Sequence, residues 1–414
     1  MRMTNKLSIA LGAALLGAPL AACNDYLTST NLTTLDVSAV DPVRDAQTLS
    51  KSALQDFASA YDDLVMYMGW FTGDILPTDT FNDPNDFARR DIPPGGAVGG
   101  TIYAGLQRAL VSSKAASAAL ASTADGQKSA DLARSEMVTG FVFELLAEQF
   151  CQITVASGPA ITPANAIDSA VTHFTAAITA GAAAGTGAAT FVNASYVGRA
   201  RANLQKGDKV AAAADAANVP SSFNYNMLYS DDLANRGRLG NAIWDREGGS
   251  RGSITVAPPY RGLNDPRIGV LNPGQHTLTP QDGITPYYVQ TKYTSYASPV
   301  RLASRMEADY IAAEAGGATT QLALIQTRRA ANGQAAYDGP TDDASVLTEF
   351  ENQRAREFFL EGKRLGDFQR NGASVLNMPV PGSTYFKAGY DKVQDDACYP
   401  LPSAEVNNNP NIPH

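Results

Sequence analysis

The sequence predicts a mainly α-helical fold: a scaffold of paired helices interrupted by large, irregular, loop-rich excursions. Three observations predict it. Apolar residues recur at steps of three and four in several segments of helical length. Those segments are rich in alanine, which favours helix and lets neighbouring helices approach closely. Two stretches, about 72–100 and 218–300, lose the stripe and fill with Gly, Pro, Asn and Asp.

The chain begins with a pattern of a different kind. Arg2 and Lys6 precede an uncharged run from Leu7 to Leu16, and Leu20, Ala21, Ala22 and Cys23 follow. A basic start, a short apolar core and a small-residue cleavage site are the parts of a secretory signal, here residues 1–22. Leu-Ala-Ala-Cys resembles the bacterial lipobox, which implies lipid on the Cys23 thiol and a membrane anchor. The plainer alternative is an ordinary signal that ends near a cysteine. No second apolar run is expected to approach spanning length. Residues 23–42 are polar and Thr-rich and read as a tether, and residues 43–414 as a single domain.

The first helix starts with Asp41 as its cap and Pro42 in its first turn, and Ala46, Leu49, Ala53, Phe57, Ala60 and Leu64 fall on one stripe. Residues 72–100 read as a long loop, with Pro77, Pro84, Pro93 and Pro94 among many Asp and Asn. Helices return at about 101–122, 129–151, 164–181 and 193–217. Their lengths and short breaks predict antiparallel pairs stacked in the tetratricopeptide manner. The clearest pair turns at Gly207 and Asp208. Residues 218–300 form an irregular insert with short strands near Ile254–Ala257 and Tyr287–Lys292. Helix resumes over about 301–315, with Leu302, Met306, Tyr310 and Ala313 on its stripe, then over 319–332 and 343–371. From Asn377 the chain is irregular again.

The formal net charge is −9, which argues against nucleic acid and against anionic headgroups as partners. Besides Cys23 there are Cys151 and Cys398. An exported compartment permits a disulfide between them, and two buried free thiols are the other reading. No metal is implied. His173, His276 and His414 lack a partner at ligand spacing, and there is no Cys/His cluster. No cofactor motif occurs either.

The chemistry-bearing patterns are few. Gly248, Gly249, Ser250, Arg251 and Gly252 match G-x-S-x-G, but no β-rich run precedes them and no helix follows, so a flexible turn is the better reading. Around the first excursion, Trp70, Phe81, Asn82, Asp83, Asp86 and Arg89 combine flat aromatic faces with carboxylate, amide and guanidinium groups. That mixture suits a sugar, with its apolar C–H face and rim of hydroxyls. A solvated loop stapled down by its aromatics is the competing reading. The second excursion offers Trp244 and Tyr287 as further pocket walls. Arg354, Glu357, Glu361 and Arg364 fall at helical spacing, which predicts mutual pairing along one helix face.

Several of these pieces together resemble the SusD/RagB family of nutrient-uptake lipoproteins. Cys23 is followed by Asn24, Asp25, Tyr26 and Leu27, similar to the family's start after the cysteine. Arg305, Glu307, Tyr310, Ile311, Ala313 and Glu314 resemble its R-x-x-E-x-x-x-I-x-A-E-A helix, with the first spacing shifted. Arg354, Glu357, Phe358, Glu361, Gly362, Arg364, Asp367 and Arg370 resemble a second stretch, and Asp265, Pro266 and Arg267 a signpost before the last helices. Tyr399, Pro400, Leu401, Pro402, Glu405, Asn409 and Pro410 resemble its closing motif. The resemblance implies a tetratricopeptide-like scaffold, no enzymatic chemistry, and a lipid-anchored outer-membrane protein at the cell surface. It also implies capture of a nutrient, foremost an oligosaccharide, for a SusC-like TonB-dependent barrel. A lipid-anchored helical scaffold for protein partners and a peptide-uptake protein are the alternatives.

Overall fold

The computed structural model describes residues 44–249 and 251–412. The signal segment, Cys23, the tether, Ser250 and His414 lie outside the described residues.

The first half is helical. α1 (Ala46–Thr72) lies against α3 (Ala97–Ala121) and α4 (Ala130–Gln149). α5 (Pro163–Ala184), α6 (Ala189–Gln205) and α7 (Lys209–Ala217) continue the series, each against its predecessor. α4 is the central element. Its residues from Leu132 to Gln149 are buried on nearly every face, the pattern of a helix surrounded by others. Small residues set the spacing. The Phe174 ring of α5 sits between Gly140 of α4 and Gly198 of α6, where an added Cβ would stand 2.7 and 2.3 Å from ring atoms. Starts are fixed locally. Thr162 caps α5 ahead of Pro163, and Asp208 accepts from the Ala211 N–H at 3.0 Å to begin α7.

Between α1 and α3 the predicted long loop contains structure. β1 (Ile75–Pro77) leads into α2 (Asn82–Arg89), a two-turn helix. Its Pro84 falls in the first turn, where a missing N–H does no harm, so the proline that read as a breaker is compatible with helix.

The second excursion carries β2 (Asn224–Met227), the short turns α8 (Arg236–Leu239) and α9 (Ala242–Trp244), β3 (Ile254–Val256), β4 (Val270–Leu271) and β5 (Val289–Gln290). β6 (Val300–Ser304) then pairs antiparallel with β2. The expected helix at 301–315 therefore begins later. Residues 301–304 are strand, and Ser304 caps α10 (Arg305–Gly316) through the Glu307 N–H. Leu302 is buried from the strand, not from a helical stripe.

α11 (Ala318–Ala331) and α12 (Asp343–Glu357) complete the pairs. The helix predicted over 343–371 is broken. α13 (Arg364–Asn371) starts anew after a turn in which Leu360 and Gly362 take φ of 57° and 66°. The turn turns its carbonyls toward tertiary donors. Phe359 accepts from Lys292, Leu360 from the Tyr293 hydroxyl, and Glu361 from the Tyr61 hydroxyl, at 2.6–2.8 Å. Intrahelical bonds are thus exchanged for equally good ones. The expected face of mutual pairs is overturned with it. Arg354 pairs with Asp367, Glu357 with Arg328, Glu361 with Lys292 and Arg301, and Arg364 with Asp74. α14 (Ser403–Asn408) lies near the end.

Two further findings concern the scaffold. The stretch Pro163–Gln205 is long and apolar enough to cross a membrane by length and composition, against the expectation that no second run approaches that length. Its alanines account for this, and they serve contact between α4, α5 and α6. Cys151 and Cys398 are joined in a disulfide that ties the end of α4 to the C-terminal segment.

Candidate functional site

The two excursions meet. β1 pairs antiparallel with β3, Ile75 opposite Val256 and Pro77 opposite Ile254. Beyond the strands the Thr78 N–H donates to the Ser253 carbonyl and its hydroxyl to the Gly252 carbonyl. The Thr78 carbonyl in turn accepts from the Asp282 N–H at 2.8 Å. Beneath this junction Asp74 accepts from the Tyr260 hydroxyl at 2.7 Å and from Arg364 at 2.8 Å. The C-terminal segment forms the third wall. Tyr385 donates to the Asn85 side chain at 2.9 Å, and the Gln394 N–H to the Arg89 carbonyl at 2.7 Å.

The resulting loop face centres on Lys387. Its ammonium donates to the Asp79 carbonyl at 2.5 Å and pairs with Asp282 at 3.0 Å. Three apolar side chains stand in solvent around that knot: Phe81 (60% exposed), Phe386 (41%) and Ile284 (84%). The chain links them closely. The Phe81 N–H donates to the Asp79 carboxylate, Lys387 lies over the Phe386 ring, and the Ile284 N–H donates to Asp282. On α2, Arg89 pairs with Asp86 at 2.8 Å and Asp91 at 2.9 Å, and its guanidinium lies 5.7 Å from the Tyr390 ring centre. Its Nε and Nη1 are buried without a partner among the described residues.

The electrostatics follow from burial. Burial raises the Asp79 carboxyl above its ordinary range, with the Phe81 N–H, Lys387 and Arg246 opposing. Burial likewise raises Asp86, opposed by Arg89. Tyr67, on the α1 face behind α2, is pushed up to about 12 by burial. Asp282 goes the other way: burial raises it, but bonds from Thr285 and Lys387 outweigh that.

Behind the junction Glu247 is buried with its carboxylate accepting from the Gln290 N–H at 2.9 Å and the Gln290 amide at 2.7 Å. Burial carries it to about 8, so it holds its proton at neutral pH. An open cleft of about 340 Å³ lies beside it, lined by Gly248, Gly249, Arg251 and Gly252 on one side and Thr277–Thr279 on the other. Gly252 leads into β3, and among the described residues only a single 3-10 turn at Pro258–Tyr260 comes directly after that strand, not the long helix of a nucleophile elbow. Asp265 is taken up by Arg267 at 2.7 Å, and His276 Nε2 donates to the Tyr287 carbonyl at 2.9 Å.

The predicted site residues separate into two groups. Phe81, Asn82, Asp83, Asp86 and Arg89 share α2 and its cap on the loop face. Trp70 does not join them: it is 2% exposed, edge-on to Tyr67 in the core, and offers no ring face to solvent. Tyr287 is also buried, its hydroxyl donating to the Glu247 carbonyl at 3.0 Å. Trp244 is half-buried, with its ring over Gly248. Sequence reasoning missed Asp79, Ile284, Phe386, Lys387 and Tyr390. A signal existed for the last three: aromatics and a lysine in a Pro/Gly-rich stretch repeat the composition of the first excursion.

One carboxylate group has metal-like spacing. Glu314, Glu351 and Asp367 bring oxygens within 4.8 Å of one another. Arg370 occupies both Glu314 oxygens, Arg354 and Arg370 hold Asp367, and burial keeps the Glu351 carboxyl well above its ordinary range. Guanidiniums fill the place a cation would take.

The backbone arrangement has counterparts among solved structures. A SusD superfamily protein from Bacteroides thetaiotaomicron superposes with a TM-score of 0.67 at 12% identity, over 90% of this chain and 99% of that one. A protein from Bacteroides vulgatus described as a SusD-like carbohydrate binding protein gives 0.67 at 13% identity, over 89% and 97%. The chain has the SusD fold. A third match, described as a putative sugar binding protein from Bacteroides vulgatus, gives 0.63 at 12% identity over 90% and 98%. No protein-family model and no curated protein sequence matches the chain. At these identities the SusD likeness is one of backbone, and the side chains of the loop face are this protein's own.

Proposed function

We propose that this protein is a lipid-anchored, outer-membrane binding protein that captures an oligosaccharide and passes it to a SusC-like TonB-dependent barrel. The observation that carries the reading is the SusD fold across about nine-tenths of the chain, shared with proteins described as carbohydrate and sugar binding. The loop face supports it. Phe81 and Phe386 present aromatic faces, and Arg89 presents buried N–H groups without a partner among the described residues. Apolar walls with a few fixed polar groups suit a neutral polyhydroxyl ligand better than a charged one. The anchor is assigned to Cys23, the signal to 1–22, the tether to 23–42 and the binding domain to 43–414.

The test is a glycan array followed by calorimetry. A hit should weaken at least tenfold in Phe81→Ala and in Phe386→Ala, with both variants folded. A hit whose affinity neither change alters would remove the loop face from the site. Purification from membranes should bring down a barrel transporter, and loss of that partner in Cys23→Ala would place the anchor upstream of assembly. Protein partners with no glycan would favour the scaffold alternative.

A further inference from the structure

Away from the loop face, a cleft of about 470 Å³ opens among helix ends of the scaffold. Its walls are the α6–α7 turn, the starts of α11 and α12, and the end of α13. The size falls within the range of small-ligand sites, about 300–1,000 Å³.

Gln321 marks the cleft. It is 6% exposed, lines the cleft, and its side-chain amide has no hydrogen-bond partner among the described residues. That amide faces the solvent of the cleft, and a ligand that offers both a donor and an acceptor takes the place of the water it meets there. Gln321 stands in the first turn of α11, and that start is open as well. Its N-cap is Gly317, and no side chain caps it. An uncapped start leaves N–H groups and the positive end of the helix dipole for an anion. The charges agree. Lys209 lines the cleft exposed and without an ion pair among the described residues, whereas Lys206 beside it is held by Asp168 at 2.6 Å. Glu314 also faces the cleft, but Arg370 engages both its oxygens.

We propose that this cleft binds the C-terminal end of a peptide chain. The carboxylate lies at the start of α11 with Lys209. The last peptide group, one donor and one acceptor, meets the Gln321 amide. The terminal side chain rests on Leu204 and Leu347, which also line the cleft. Asp343, an exposed carboxylate on the α12 side, accepts a peptide N–H. A sugar could satisfy the amide but brings no charge for Lys209 and the helix start. Capture of a terminal carboxylate by backbone N–H groups is a recurring mode of peptide recognition. The proposal stands apart from the loop-face reading, since the two share no residue.

The probe is N-acetyl-Ala-Leu with a free carboxylate, titrated calorimetrically against the whole protein, beside the same dipeptide as its C-terminal amide. The acid should bind at least tenfold tighter than the amide. Lys209→Gln, a surface change, should weaken the acid at least fivefold, and Gln321→Ala at least tenfold. Phe81→Ala should leave it unchanged. If Gln321→Ala fails to fold, Lys209→Gln carries the test. Equal binding of acid and amide, no binding at millimolar acid, or an acid affinity untouched by Lys209→Gln would overturn the proposal. Fusing Ala-Leu to the end of a folded carrier separates the sources. Undiminished binding identifies the tail of a protein partner, and binding of the free dipeptide alone identifies a free peptide.

Discussion

The helical scaffold and the loop face both bury a glutamate, and they do so in opposite ways. In the scaffold, burial pushes Glu307 up, but Arg201 at 2.7 Å and Lys363 at 3.4 Å outweigh it and hold the carboxyl at about 2. Behind the loop face, Glu247 has only the neutral Gln290 for support, and burial carries it to about 8. The difference teaches how each region is built. Packed helices bring cations and anions together from distant parts of the chain, so a charge survives there. Around Glu247 the short strands and the Gln290 hydrogen bonds bring no cation, so that carboxyl stays protonated, whereas Asp282 in the same region is paired with Lys387 and is shifted down. Arg201 also shows the limit of matching: it serves Glu144 as well, at 2.9 Å, and burial still leaves that group at about 8.

The sharpest way to break the comparison is to remove the shared cation. Arg201→Leu strands Glu144 and Glu307 in the core and should destabilise by about 3–5 kcal/mol or more in urea unfolding at pH 7. A loss under 1 kcal/mol would mean the scaffold does not depend on its matched charges. Trp70→Ala should cost a similar amount, about 3–5 kcal/mol, because it empties a core position.

The pH dependence comes next. Glu307 is depressed below its ordinary 4.5, so its contribution is full above pH 4.5 and is lost as pH falls toward 2. Glu247 is raised, so its contribution is full below pH 4.5 and is lost as pH rises toward 8. Each is worth roughly 3–5 kcal/mol across its window. In melting curves Glu307→Gln should flatten the acid limb. Glu247→Gln should lessen the alkaline limb, leaving the part due to the other carboxyls that burial raises, Glu144 and Glu351 among them. An alkaline limb unaltered by Glu247→Gln would contradict the assignment.

Removing the tie between the regions should have a smaller effect. Cys151→Ser with Cys398→Ser opens a link across a sequence separation of 247 and should cost about 2–5 kcal/mol. Amide exchange should rise first in the C-terminal segment around Gln394, whose N–H bonds the Arg89 carbonyl. Exchange spread evenly through the scaffold would show the bridge acting on the whole molecule. The smallest effect on stability belongs to Phe81→Ala, within about 0.5 kcal/mol, because the side chain is already in solvent. A larger loss would make Phe81 a packing residue and weaken the case for the loop face.

Much of the scaffold was legible in the sequence. The stripes that begin at Ala46 and the turn at Gly207 and Asp208 are local signals, and α1, α6 and α7 follow them. The misreadings have a common cause. Pro84 and the crowded Asp and Asn residues hid α2, and the apolar pattern through Phe358, Phe359 and Leu365 hid the break before α13. In both places the deciding partners are remote: Tyr385 for α2, Lys292, Tyr293 and Tyr61 for the break. The candidate site was half legible. Phe81, Asp86 and Arg89 stood out by composition, whereas Trp70, an aromatic like Phe81, sits on α1 with its ring in the core.

By itself, the sequence determined the helical scaffold, the position of the two excursions and the residues available to the loop face. Periodicity and capping act over a few residues, so they can be read from a few residues. Tertiary structure alone decided which aromatics are exposed, that β1 and β3 bring the excursions together, and that Lys387 closes the face from the other end of the chain. Those outcomes depend on contacts between residues some 180 to 310 positions apart, and no local pattern encodes them.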